Sequence, residues 1–276
     1  ELVSYREKLM AGLPNFATYF GRDMLMAALM MEPIWSPTML EHVIASVLAK
    51  LSPAGEVSHE EGLGGQAIRE NAGRYNALLD AYQRTGADSL LTSARSVLEN
   101  LQAVQENYRM LDDDLQFPVV AARYLRHRDV PVEQKRRFLL ARRAPNDTTS
   151  HLTLLLRNLA YVAERTAPYA RDPRADNLIA FPPLEDQSGW FPGSWRDSRV
   201  GYAGGRYAMD INVIWAPAAL AAAAGILALL DSLGLASGTP PGPLMDALEA
   251  WRGTARHFTV VLPPDEAGRR IDAKLS

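Results

Sequence analysis

The 276-residue chain contains no cysteine. This excludes disulfides, thiolate metal sites and cysteine nucleophiles together. It leaves the compartment open, because a cysteine-free chain suits either side of a membrane. A basic excess is missing too: 29 Lys and Arg stand against 32 Asp and Glu, for a formal net charge of -3. Phosphate backbones need clustered positive charge, so nucleic acid is excluded as a main partner. The one basic run, Lys135, Arg136 and Arg137 with Arg142 and Arg143, reads as a solvated helix face. No H-E-x-x-H or similar ligand spacing occurs, so His42, His127, His151 and His257 read as ordinary core or surface residues, and no metal or cofactor is expected. No basic, then apolar, then small-residue leader pattern opens the chain, which starts at Glu1; the expectation is a processed chain or a piece of a longer one.

Clean alternation of β-branched residues is scarce, whereas apolar spacing of three and four recurs throughout. The expected fold class is all-α, in one domain over 1–276. Met39, Leu40, Val43, Ile44, Val47, Leu48 and Leu51 form a stripe entered through Ser36 as N-cap and Pro37 as first helical residue. A second helix runs from Gly65 to Thr85 and stops at Gly86, after which Asp88 caps a third. Others are expected at 115–128, 132–142, 148–166, 211–233, 243–257 and from Asp265 onward, with a short one from Arg22 to Met31. That makes about ten helices, mostly in antiparallel pairs, either as a solenoid or as a closed α/α toroid. No fixed repeat period supports a solenoid. Ile211 to Leu230 carries no charge and is long enough to span a membrane, but Asn212, Pro217 and its many alanines favour a helix buried on all sides within a globular domain. No membrane span is expected.

Against this helical background, 168–207 is a long segment rich in Pro, Gly, Asp, Arg and aromatics, and such insertions are usually functional. Four polar segments break the apolar periodicity: Phe20-Gly21-Arg22-Asp23; His59-Glu60 through Arg74-Tyr75-Asn76; Asp112-Asp113-Asp114; and Trp195-Arg196-Asp197 through Arg206, Tyr207 and Asp210. Carboxylates and amides bind sugar hydroxyls, Trp and Tyr faces stack on pyranose rings, and glycosidic cleavage needs an acid and a carboxylate. Trp190 and Trp195, flanked by Gly, Pro and Asp, are placed to stack on a sugar, whereas Trp215 reads as core. Arg206 either binds ligand or pairs with Asp197 or Asp210. Asp23 reads as an N-cap that can also touch a sugar, and His59 and Glu60 as a solvated loop or a binding pair. Asp112 to Asp114 read first as an acidic cap favoured by the helix dipole, with a sugar-site role or a divalent-cation site as alternatives.

Phe20-Gly21-Arg22-Asp23-Met24-Leu25 resembles the F-G-R-D-S/T-L start of bacterial glycogen-debranching-type amylo-α-1,6-glucosidases, which are six-hairpin glycosidases. Gly55-Glu56-Val57-Ser58-His59-Glu60 and Arg74-Tyr75-Asn76 are similar to that group's G-x-(I/V)-x-H-E and R-Y-N segments. Ser194-Trp195-Arg196-Asp197-Ser198 is similar to its x-W-(K/M/R)-D-(S/K) motif. The resemblance implies an α/α toroid that cleaves α-glucosides or an oligosaccharide with inversion. It implies Asp197 as general acid and Asp23 as a sugar-hydroxyl ligand, with carbohydrate as the partner. Phe20, Arg22, His59, Glu60, Arg74, Asn76, Trp190, Trp195, Arg206, Tyr207 and Asp210 are the remaining candidate contacts. In that family the base is a Glu late in the toroid, and nothing after Leu230 matches it. The toroid is therefore expected to be incomplete at its C-terminus. A non-catalytic carbohydrate-binding scaffold, or a phosphorylase or lyase, is the alternative on the same architecture.

Overall fold

A computed structural model describes residues 4–5, 8–9, 19–62, 64–103, 105–108, 110–143, 147–179, 210–235 and 238–275. The all-α expectation holds: ten α-helices occur among them, with only two- and three-residue strands. The chain order is β1 (Ser4–Tyr5), β2 (Lys8–Leu9), β3 (Tyr19–Phe20), α1 (Gly21–Met31), α2 (Pro37–Ala49), β4 (Glu60–Gly62), α3 (Gly64–Thr85), α4 (Asp88–Glu99) and β5 (Gln105–Asn107). There follow α5 (Asp112–Arg126), α6 (Val132–Leu140), α7 (His151–Arg171), α8 (Asp210–Ser232), α9 (Gly242–Trp251) and α10 (Pro264–Leu275).

Local chemistry sets several of these boundaries. Ser36 is extended and Pro37 opens α2, as its fixed φ favours, although the Ser36 side chain makes no capping bond. Gly86 closes α3 at φ 68°, a left-handed conformation that glycine adopts without a Cβ penalty. Other boundaries differ from expectation. Asp88 lies inside α4, whose cap position is Ala87. Helix α7 runs through Pro168 to Arg171, so the long insertion begins later than Pro168 suggested. Pro168 has no N–H to reach back four residues, and its carbonyl accepts from the Asp172 N–H at 3.1 Å as the helix ends.

Sequential pairs α1/α2, α3/α4, α6/α7 and α8/α9 pack together, while α5 lies among α1, α2, α7 and α8. Its apolar residues Leu115, Phe117, Val120, Ala121, Tyr124 and Leu125 are all buried. Helix α8 contributes Ala216, Ala219, Leu220, Ala223, Ile226, Leu227 and Leu230 to the same core. By length and composition α8 could cross a membrane, with half of its apolar window buried. It is not buried on all sides: Ile214, Ala221 and Ala228, seven residues apart, form an exposed stripe. Trp215 packs partly against the core, as expected.

The basic run is not a uniformly solvated face. Lys135 is buried and donates from Nζ to the His127 carbonyl at 2.9 Å, and burial lowers its pKa. Arg136 donates to the carbonyl of Leu233, tying α6 to the end of α8.

Candidate functional site

Three of the four polar segments meet at one small antiparallel sheet. Strand β4 is central: Tyr19 and Phe20 of β3 pair with Glu61 and Glu60, and Glu60, Glu61 and Gly62 pair with Asn107, Glu106 and Gln105 of β5. Strand β3 leads directly into α1, β5 precedes α5, and Val57 to His59 lead into β4. The pairing therefore brings the first turns of α1 and α5 beside the Val57–His59 segment.

The interior of this junction is acidic and buried. Asp112, Asp113 and Asp114 are buried, as are His59 and Glu61. The triplet occupies the first turn of α5, as the helix-dipole reading expects, but it is buried, and His59 is not in a solvated loop. Asp114 Oδ1 accepts the Val57 N–H at 2.6 Å, and Asp113 Oδ1 accepts the Asp114 N–H at 2.9 Å. His59 Nδ1 lies 3.5 Å from Asp113 Oδ2. Both Asp112 oxygens lack a hydrogen-bond partner among the described residues. Burial, with the neighbouring Asp113 charge, pushes the Asp112 carboxyl up to about 7, against smaller opposing effects of Arg22 and His59. Asp114 is likewise raised by burial and by Asp113.

The backbone closes tightly around these groups. The Gly21 N–H donates to the His59 carbonyl at 2.6 Å. A Cβ at Gly21 would run into the Ser58 carbonyl oxygen and meet Val57 Cγ1 at 3.2 Å and Asp113 Oδ2 at 3.4 Å. Only glycine lets α1 start this close to the His59 segment. From the other side, Asn158 of α7 donates from Nδ2 to the Gly55 carbonyl at 2.9 Å, with Gly55 at φ 104°.

The rim is more open. The Arg22 side chain is 19% exposed and that of Asp23 48%, with Arg22 Nη2 3.4 Å from Asp23 Oδ2. Asp23 lies within the first turn of α1 rather than at its cap. Glu60 is half-buried and accepts from Gln66 Nε2 at 3.0 Å. His59 thus lies against Asp113 and Arg22 acts on Asp112, while Asp23 pairs with Arg22 and Glu60 with Gln66; Phe20 ends β3 immediately before α1. Arg74 and Asn76 are exposed on α3. Arg74 lines a separate cavity of about 250 Å³ between α3 and α4, and among the described residues nothing links it to the triplet.

No family model, curated protein or solved structure matches this chain.

Trp190, Trp195, Asp197, Arg206 and Tyr207 lie outside the described residues. Asp210 begins α8. Two residues on, Asn212 is buried and donates from Nδ2 to the Ile179 carbonyl at 3.0 Å, joining the two ends of the segment that carries Asp197. Among the described residues, no three His, Asp or Glu side chains converge in a metal-holding arrangement. The arrangement can therefore do two things chemically: offer Arg22, Asp23 and Glu60 as polar contacts, and hold a proton on the buried Asp112 carboxyl, whose pKa is raised to about 7.

Sequence reasoning identified Arg22, Asp23, His59 and Glu60 but assigned the Asp112–Asp114 triplet chiefly to the helix dipole. The available signal was its context. Three acids run straight into Leu115-Gln116-Phe117-Pro118-Val119-Val120, which offers no polar face for them to share with solvent.

Proposed function

We propose that the protein is an inverting glycoside hydrolase acting on α-glucosides or oligosaccharides, on a six-hairpin α/α toroid. The observation that carries this reading is the convergence of Arg22-Asp23, His59-Glu60 and Asp112–Asp114, from three distant stretches, in a chain whose motifs follow the order of the amylo-α-1,6-glucosidase type. The sequential pairing of α1/α2, α3/α4, α6/α7 and α8/α9 supports the hairpin architecture.

In this mechanism Asp197 protonates the leaving oxygen, and a second carboxylate activates water from the opposite face of the sugar. Arg22, Asp23 and Glu60 bind hydroxyls at the rim, with Trp190, Trp195 and Tyr207 stacking on the ring and Arg74, Asn76, Arg206 and Asp210 as outer contacts. The buried triplet holds Arg22 and His59 in place. Carboxylate-pair chemistry needs no Lewis acid, so no metal enters the proposal.

A second reading moves the acid to Asp112, whose carboxyl is raised to about 7 and so carries a proton near neutral pH. Incubating the protein with maltooligosaccharides and an α-1,6-linked glucoside, in parallel with Asp197→Asn and Asp112→Asn, separates the two. Loss of turnover in Asp197→Asn with retention in Asp112→Asn supports the first. The reverse supports the second. Sugar-dependent thermal stabilisation without turnover in the wild type sinks both and favours a binding protein, and phosphate-dependent release favours a phosphorylase.

A further inference from the structure

The opposite end of α5 carries a cavity of about 670 Å³, within the size range of small-molecule sites. From Asp112 to Arg126 the helix rises by about 1.5 Å per residue, which places this cavity roughly 20 Å from the aspartate triplet. Its charged wall is Arg123, Arg126, His127 and Arg128, with Glu32 and Asp129 opposing them, and its floor is Ala218, Ala221 and Ala222 of α8.

Arg123 is already engaged, with Nε 3.7 Å from Glu32 Oε2, and the neutral His127 ring accepts the Asp129 N–H at Nδ1 over 3.2 Å. Arg126 and Arg128 have no ion pair among the described residues. Cations in a last helical turn are ordinarily explained by the helix dipole. The dipole does not account for Gly225. This glycine interrupts the alanine-rich middle of α8, although glycine is the poorest helix former after proline. Any Cβ there would collide with the Arg126 guanidinium, which rests against the Gly225 backbone. Gly225 lies about one turn beyond Ala221 and Ala222, so Arg126 reaches from the cavity wall to the α8 backbone beside the alanine floor.

We propose that this cavity is a second ligand site, taking a small phosphomonoester whose phosphate sits between Arg126 and Arg128 and whose organic part lies on the alanine floor. Guanidinium forks match phosphate oxygens in bidentate geometry and hold them more strongly than neutral donors. The concave, partly apolar shape suits a compact ester. An extended polyanion would need an unbroken basic track, which Glu32 and Asp129 interrupt here. The site stands independently of sugar cleavage at the other end of α5.

Isothermal titration of the full chain with inorganic phosphate, glycerol 3-phosphate, glucose 6-phosphate, adenosine 5′-monophosphate and adenosine tests this. Saturable binding of at least one ester is expected, weakening as salt rises, with inorganic phosphate weaker and adenosine silent. Arg126→Gln with Arg128→Gln should weaken the ester by at least about tenfold, since a charge-assisted pair is lost. Gly225→Val displaces Arg126 without removing charge and should weaken it too, whereas Arg95→Gln on α4 should change nothing. Circular dichroism of each variant checks that the fold is kept. Absence of saturable binding by every ester up to about 10 mM overturns the site, because such affinities lie below about 3 kcal/mol. Unchanged affinity in the folded double variant also overturns it. Equal affinity for inorganic phosphate overturns the role of the alanine floor.

Discussion

The acidity of Asp112 makes stability depend on pH in an unusual direction. Its carboxyl is raised from 3.8 to about 7 in the folded state, chiefly by burial and then by Asp113. Between these values the folded chain binds the proton more tightly than the unfolded chain. The stability associated with Asp112 is therefore complete below about pH 4 and is lost as pH rises through about 7. At roughly 1.36 kcal/mol per pH unit, the full effect is about 4 kcal/mol, a large share of the 5–15 kcal/mol typical of a domain. Asp114, raised for the same reasons, acts in the same direction. His151, whose pKa burial lowers, acts oppositely at acid pH. Urea unfolding of wild type and Asp112→Asn at several pH values between 5 and 8 isolates the aspartate, because His151 is common to both. The amide cannot ionise, so Asp112→Asn should gain on the wild type from pH 5 to about 7, by about 3 kcal/mol at roughly 1.36 kcal/mol per pH unit, and the difference should then level off. A stability difference that stays constant with pH, or moves the other way, would refute the burial argument.

Other expectations follow from the same geometry. Asp197→Asn should lower glycosidase turnover by at least about a hundredfold in a chain that still folds; wild-type rates on maltooligosaccharides would remove Asp197 from the mechanism. Gly21→Ala forces a methyl group against the Ser58 carbonyl, and thermal unfolding should show a loss of about 1–3 kcal/mol. Asn212→Ala leaves the Ile179 carbonyl without its donor, for a cost of about 1–3 kcal/mol measurable by urea denaturation. EDTA should leave hydrolysis unchanged; abolition with recovery on adding Ca²⁺ or Mg²⁺ would instead assign the triplet to a cation.

The helices were legible where local chemistry decides them. Pro37 and Gly86 mark their boundaries by backbone preference alone, and the apolar stripe of α2 needs no tertiary partner to be seen. The three-stranded sheet was not legible. Its strands are two or three residues long, and the central one is Glu60-Glu61-Gly62, which has no apolar alternation. Burial of the triplet was hidden for a related reason. Acids in a first helical turn suit the dipole whether exposed or buried, and the groups that enclose these come from Gly21, Val57 and His59, far away in the chain. Lys135 shows the same blindness: among neighbouring arginines it looks solvated, and only the fold supplies the His127 carbonyl that lets it be buried.

The bond between Asn212 and Ile179 bears on how this protein could be altered. It acts as a clasp: Ile179 follows α7 and Asn212 opens α8, so a single bond ties together chain 33 positions apart at the edge of two core helices. Closing a flexible connection costs only about 0.6 kcal/mol more for each doubling of its length. A change in the number of residues between 179 and 210 would thus alter the entropy of closing this clasp only slightly, while the bond itself still sets where α8 begins relative to the end of α7.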